Sequence, residues 1–331
     1  MTEECLLNKR NSLILKGAGI SLMLIHHLFY LDEMRPYYND IIIHGHGLVN
    51  QIGIFCKLCV AVFVFVSGYG LAVSTPKSIK LKDFYWHRFK KLYLNYWFIW
   101  LLFVPIGVFV FGRTFTDAYG EYVTIRGALD FFGLLKMFGI DSYNPTWWFY
   151  NCILILYLMF PLINKVLWRT PFLTVSFALA IGILSFVPGI NVIYSYLFVF
   201  IMGMLIIRMP LKWIERTKWW HVLIALVVLS GWRFSQASPK HIVDAMLCVG
   251  MALLIYKLHL ENWIGHIFVE IGKHSMNMFL IHTFIFYFWF RDYIYITRDP
   301  LLIFLSLLLT SYLVSLVIEW IKKEMGFYKL F

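Results

Sequence analysis

Charge is scarce in this chain: Asp, Glu, Lys and Arg make up 14% of its 331 residues, against about a quarter in an ordinary soluble domain. A water-soluble fold is thereby excluded, and the chain needs lipid around it. Cysteine is thin and scattered. Cys5, Cys56, Cys59, Cys152 and Cys248 lie mostly inside apolar runs, which gives no paired framework for extracellular disulfides, and Cys56-x-x-Cys59 lacks the second pair that a metal site would need. Neither internal repeats nor low-complexity tracts occur. No small-residue cleavage site follows the first apolar run, so that run is expected to stay as a helix rather than to leave as a signal peptide.

What fills the chain instead is apolar sequence, 61% of all residues with a mean hydropathy of +0.73. A bilayer core takes roughly 20 such residues per helix. Ten spans are expected, at about 13–31, 48–73, 92–112, 146–164, 171–187, 190–207, 219–233, 241–258, 267–290 and 300–321. The expected fold is an all-α polytopic membrane protein, a single transmembrane domain over 1–331 with no appended soluble domain. The net charge of +11 would suit nucleic acid, but its placement answers otherwise. With a cytoplasmic N-terminus, twenty of the 29 Lys and Arg residues fall inside and eight outside, Lys57 lying within a span. This is the positive-inside pattern, with both termini cytoplasmic, and it leaves no need for a nucleic-acid partner. The longest connection, 113–145, carries Tyr119, Tyr122, Phe131 and Phe132, and part of it is expected to lie on the membrane surface as an amphipathic helix. A tight turn is expected at Pro188-Gly189.

Ionisable groups inside a span are costly and usually face a cavity or a partner. Lys16 and His27 in the first span are eleven residues apart, about three turns, so they share one helix face and lie about 16 Å apart along the axis. His26 points about 100° away from His27. The plainer alternative is that Lys16 snorkels to the headgroups while the histidines bond to neighbouring helices. In the second span Ser67-Gly68-Tyr69-Gly70 interrupts an apolar wall, where glycines permit close helix packing. Arg88 and Lys91 are neighbours on one face, placed either to hold phosphates or simply to meet anionic lipid. Trp147 and Trp148 open the fourth span at a depth where tryptophans commonly anchor at the interface. The ninth span carries Lys273, His274 and Ser275, then His282 deeper in.

Taken in order, Lys16-x10-His27, Phe63-Val-Phe-Val-Ser67-Gly68-Tyr69, Arg88-x-x-Lys91-Leu-Tyr93, Trp148 with Tyr157 and Pro161, and Gly272-x-x-Ser275 leading to Phe279-Leu-Ile-His282 resemble the acyltransferase-3 family. The resemblance runs from about Leu13 to Trp320. It implies a bacterial inner-membrane, ten-helix O-acyltransferase that uses acyl-coenzyme A, most often acetyl-CoA, to modify a surface or exopolysaccharide glycan. His27 would then be catalytic and Lys16, Arg88 and Lys91 would bind the donor. His26, Ser67, Tyr69, Trp148, Ser275 and His282 would support the site or face the acceptor. Two departures stand out: Ile153 and Leu154 occupy the place of an acidic pair after the tryptophan, and Asn95 stands where a proline often follows the Arg/Lys segment.

The implied partners are acyl-CoA as donor, a glycan or lipid-linked glycan as acceptor, and the bilayer. An imidazole suits proton transfer near neutral pH. With no nucleophile beside an activating neighbour, direct transfer is preferred to a covalent intermediate. The competing reading is a transporter or flippase for a lipid-linked glycan, against which stands the lack of an inverted repeat. A haem or metal site on His26, His27, His44 and His46 is disfavoured, because adjacent helical histidines make poor co-ligands and His44-x-His46 lacks companions.

Overall fold

A computed structural model describes residues 6–43, 45–75, 80–184, 196–209, 211–234 and 241–330. Among them every regular element is helical except a two-residue hairpin, Ile42–Ile43 (β1) paired antiparallel with His46–Gly47 (β2). Among the described residues, six segments are long and apolar enough to cross a bilayer: Lys9–Phe29, Leu48–Ser74, Leu81–Phe109, Pro145–Arg169, His241–Leu258 and Pro300–Glu324. The chain is therefore an all-α, multi-pass membrane protein. Two further apolar helices are shorter, Pro171–Ala180 and Trp219–Phe234. The expected ninth span is helical over Trp263–Thr283, but His266, Glu270, Lys273 and His274 make its first half polar. The expected turn at Pro188-Gly189, the facing ends of spans 171–187 and 190–207, His44 and Cys5 lie outside the described residues.

Two compact units divide the chain. The first comprises Met1–Arg35, Asp40–Ile79 and Met159–Ser275. Its helices are α1 (Lys9–Phe29), α2 (Leu48–Phe55), α3 (Leu58–Ser74), the later part of α7 (Trp148–Arg169), α8 (Pro171–Leu184), α9 (Leu197–Leu205), α10 (Leu211–Arg216), α11 (Trp219–Phe234), α12 (His241–Leu258) and the first part of α13 (Trp263–Thr283). The second unit comprises Pro36–Asn39, Lys80–Leu158 and Met276–Phe331. It holds α4 (Leu81–Phe109), α5 (Phe115–Tyr119), α6 (Val123–Phe131), the remainders of α7 and α13, α14 (Arg291–Ile294) and α15 (Pro300–Glu324).

Local sequence sets several of these ends. Asn8 caps α1 by accepting the Asn11 amide at 2.8 Å. Asp299 caps α15 in the same way, with Pro300 at its first position, where a missing N–H costs nothing. Thr114 and Asp117 form a reciprocal capping box on α5.

The expected second span is present as Leu48–Ser74 with a break inside it, and the expected start of the third span is corrected. The second span is not one rod: α2 ends at Phe55 and α3 begins at Leu58. Between them the ladder tightens to three-residue bonds, Cys59 N to Cys56 O and Val60 N to Lys57 O, so Lys57 sits at a helix break rather than inside a helix. The third span begins at Leu81 rather than 92, which makes the segment from Arg88 to Lys91 helical.

Glycines permit close helix crossings in the first unit. A Cβ on Gly68 would run into the Phe200 carbonyl oxygen, and one on Gly203 into that of Phe65. These two residues thus bring α3 and α9 together reciprocally, in the small-residue packing that membrane helices favour. Gly17 and Gly272 do the same for α1 and α13, facing the carbonyls of Phe268 and Leu13. Gly70 has nothing within 4 Å of its would-be Cβ. Gly68→Ala and Gly203→Ala should each cost about 1–3 kcal/mol through overpacking, whereas Gly70→Ala should be neutral. The fraction of detergent-solubilised protein that stays monodisperse after brief heating reads the difference, and equal losses at 68 and 70 would deny the crossing its role.

Candidate active site

The first unit holds Lys16, His26, His27, Ser67, Tyr69 and Ser275. Lys16 and His27 both lie on α1, Lys16 next to the Gly17 crossing, and both are half-buried. His26 is buried at 6% exposure. Its Nδ1 is 2.8 Å from the Gly53 carbonyl, and its ring stacks on Tyr30 with centroids 4.2 Å apart. The two imidazoles have their centroids 4.9 Å apart with planes inclined by 55°, so the adjacent histidines diverge as helix geometry requires. Gly53 itself lies against the Phe29 backbone, and Asn50 donates to the Phe29 carbonyl at 2.8 Å. The short helix α2 is thereby fastened along the end of α1 that carries the histidines.

Ser67 is half-buried on α3. Tyr69 is buried and donates its hydroxyl to the Leu7 carbonyl at 2.7 Å, which ties α3 to the segment before α1. Ser275 is buried and donates to the Gly272 carbonyl at 2.9 Å, a back-bond at the glycine that crosses α1.

The second unit holds Arg88, Lys91, Trp148 and His282. Arg88 is half-buried, its guanidinium 6.0 Å from the Phe84 ring, and Lys91 is exposed. Trp148 is half-buried, whereas Trp147 is 2% exposed and donates its indole N–H to the Leu280 carbonyl at 3.0 Å. Trp147 is therefore a packing and hydrogen-bonding residue, not the interface anchor its position suggests. Asn144 donates to the same carbonyl at 3.3 Å. Both contacts fall just where α13 gives way to π-helical turns at Phe284–Trp289, an irregularity often found at functional places. His282 is fully buried, with Nδ1 2.7 Å from the Phe279 carbonyl and Nε2 3.2 Å from the Thr283 hydroxyl. Thr283 continues to Thr146 at 3.1 Å. Both ring nitrogens of His282 are thus engaged within a local network.

Several structural groups are not foreshadowed by the motifs. Asp130 on α6 is fully buried, where it accepts the Tyr119 hydroxyl at 2.5 Å and the Tyr143 amide at 3.0 Å. Tyr96 of α4 donates to the Asp130 carbonyl at 2.8 Å. Burial pushes the Asp130 carboxyl above the ordinary carboxylate range, against the opposing pull of its hydrogen bonds. Trp97 and Tyr93 of α4 hold the Phe131 and Phe132 carbonyls at 2.8 and 3.1 Å. This part of the 113–145 connection is latched to α4 by these hydrogen bonds. Tyr119 is 1% exposed.

Near the end of α15, Lys322 is 1% exposed and donates to Asn277 at 2.8 Å, Asn95 at 3.0 Å and Glu319 at 3.2 Å. The asparagine that replaces a common proline therefore bridges two elements, since Asn95 accepts from Lys322 and donates to the Lys91 carbonyl at 2.8 Å. Proline could do neither. Ile153 and Leu154, in place of the acidic pair, are 5% and 3% exposed and pack as core.

A family model described as an acyltransferase domain matches residues 13–320 of the chain. No curated protein and no solved structure is significantly similar to it.

Proposed function

Since the chain belongs to the acyltransferase-3 family and is a multi-pass membrane acyltransferase, we propose that it transfers an acyl group, acetyl in the first instance, from acyl-coenzyme A to a hydroxyl of a cell-surface or exopolysaccharide glycan. The proposed setting is the bacterial inner membrane, with ten spans and both termini in the cytoplasm. The observation that carries the catalytic assignment is the disposition of α1. Lys16 and His27 share one helix face, while the His26 ring is held on the Gly53 carbonyl.

In the proposed reaction the acceptor hydroxyl attacks the thioester carbonyl carbon and gives its proton to the His27 imidazole. The tetrahedral adduct collapses, the C–S bond breaks, and the departing thiolate takes the proton back from the imidazolium. Products are the glycan ester and coenzyme A, with His27 neutral again. Lys16 serves the donor as a cation beside its phosphates, a role that suits a compact ammonium. Arg88 and Lys91, one turn apart on α4, are proposed as further phosphate-binding cations. Ser67, Tyr69, Trp148, Ser275 and His282 have supporting roles in this scheme: Tyr69 by tying α3 to the segment before α1, Ser275 by its back-bond at the Gly272 crossing, His282 by ordering the network around Thr283.

Removing one charge-assisted contact costs about 1.5–3 kcal/mol, so Lys16→Ala should raise KM for acyl-CoA roughly ten- to a hundredfold and leave kcat largely in place. Steady-state transfer assays on membranes, with acyl-CoA varied at saturating acceptor, measure this. A fall in kcat at unchanged KM would remove Lys16 from donor binding.

A further inference from the structure

The first unit holds a second polar cluster that the proposed reaction does not use. Arg233 near the end of α11 and Asp244 near the start of α12 form an ion pair whose side chains are 4% and 1% exposed. The guanidinium donates through Nε to Asp244 and through Nη1 to the Phe55 carbonyl. Its Nη2 is buried and has no hydrogen-bond partner among the described residues. Lys57, at the break between α2 and α3, lies within electrostatic range of both Asp244 and Arg233. Among the described residues no hydrogen bond reaches its ammonium. His241 is 6% exposed, packs its ring 4.4 Å from that of Tyr196, and lies within range of Lys57 and Arg233; its Nδ1 is likewise unpartnered among the described residues.

A half-buried ammonium thus lies within electrostatic range of a buried guanidinium–carboxylate pair. A buried charge without a counter-charge is costly, and such groups in membrane segments either pair or line a pathway. The groups left over are those an oxyanion would satisfy: one guanidinium N–H group, an ammonium, and an imidazole in the tautomer that carries its proton on Nδ1. Beside the cluster an open, apolar cavity of about 350 Å³ is lined by Ile52, Phe55, Ser230, Gly231 and Phe234. Phe55 belongs to both, since its ring also lies 4.8 Å from the Arg233 guanidinium.

We propose that Lys57, Arg233 and His241 form a binding site for an oxyanion, a carboxylate or phosphate group carried by a glycan or by a lipid headgroup. The site shares a helix with the histidine pair: His26 is held on the Gly53 carbonyl and Arg233 on the Phe55 carbonyl, both in the last turn of α2. An acidic sugar residue anchored by its charge would thus be tethered to the same short helix that fastens the catalytic end of α1. That such a glycan is the acyl acceptor rests on the acyltransferase reading; the anion site does not.

The test is an unfolding assay on the purified full chain in phosphatidylcholine nanodiscs, titrated with glucuronate, inorganic phosphate or uncharged glucose, and repeated in nanodiscs containing phosphatidylglycerol. A ligand that binds the folded state raises the unfolding midpoint with concentration. The expected result is a saturable rise with glucuronate or phosphate and none with glucose. Lys57→Arg should keep that rise, and Lys57→Gln should shift its half-saturation by about tenfold or more. A rise that appears only with phosphatidylglycerol, and is lost in Lys57→Gln, assigns the anion to a lipid headgroup. Equal responses of wild type and Lys57→Gln to every anion would overturn the site. Should Lys57→Gln fail to fold, absence of any anion effect on wild type and on Lys57→Arg would overturn it instead. None of these readouts depends on acyl transfer, so the site and the catalytic assignment fail separately.

Discussion

His27→Ala should reduce acyl transfer by about 10²–10⁴-fold, the usual contribution of a positioned general base, while His26→Ala should keep transfer within about an order of magnitude of wild type. The contrast follows from the geometry of α1. His26 is buried, stacked on Tyr30 and bonded to Gly53, so its removal takes away a helix tether. That loss should appear as lower thermal stability, by about 1–3 kcal/mol for the unsatisfied carbonyl and the vacated space, rather than as lost chemistry. His27 is half-buried and splayed from its neighbour, and it shares a face with Lys16. Transfer assays at matched expression, together with melting of both variants, separate the two roles. Reversed phenotypes would exchange the assignments, and full activity in both would remove the pair from the reaction.

Asp244→Ala should be the most destabilising single change in the first unit, by about 3–5 kcal/mol, because removing one partner of a buried pair leaves the other charge uncompensated. Here the penalty is compounded. Among the described residues, Arg233 would keep the Phe55 carbonyl as its remaining acceptor, and Lys57 would lose the Asp244 carboxylate in its range. The double variant Arg233→Met with Asp244→Leu should regain much of the loss, since apolar replacement of both partners is often close to neutral. A double-mutant cycle on midpoints of thermal unfolding measures the coupling. A neutral Asp244→Ala would mean that the carboxylate does not offset the guanidinium.

Much of the helical frame could be read from the chain itself, because apolar length alone marks a span. The close packing expected at Gly68 is present, reciprocated by Gly203, which no local pattern announces. The break at Cys56 and Lys57 was not legible either, since the run from Leu48 to Ser74 is apolar almost throughout and the tightening shows only in its hydrogen bonds. Groups paired over long sequence separations escaped for the same reason. Asp130 draws its partners from Tyr96, Tyr119 and Tyr143, and Lys322 reaches Asn95 and Asn277. Each partner reads as an ordinary residue where it stands. Glu319, three residues before Lys322 on the same helix face, was the one local hint of that last network. Trp147 looked like an interface anchor because depth in the sequence does not reveal that the Leu280 carbonyl lies within its reach.

The central claim, that His27 drives acyl transfer to a surface glycan, is tested most directly by the proton NMR acetyl signal of surface polysaccharide from cells carrying wild type, a deletion, or His27→Ala at matched expression. The account predicts polymer still displayed in all three, with the O-acetyl signal lost in both the deletion and His27→Ala. Loss of the polymer itself in the deletion, with His27→Ala still exporting acetylated polymer, would contradict it and point to transport instead.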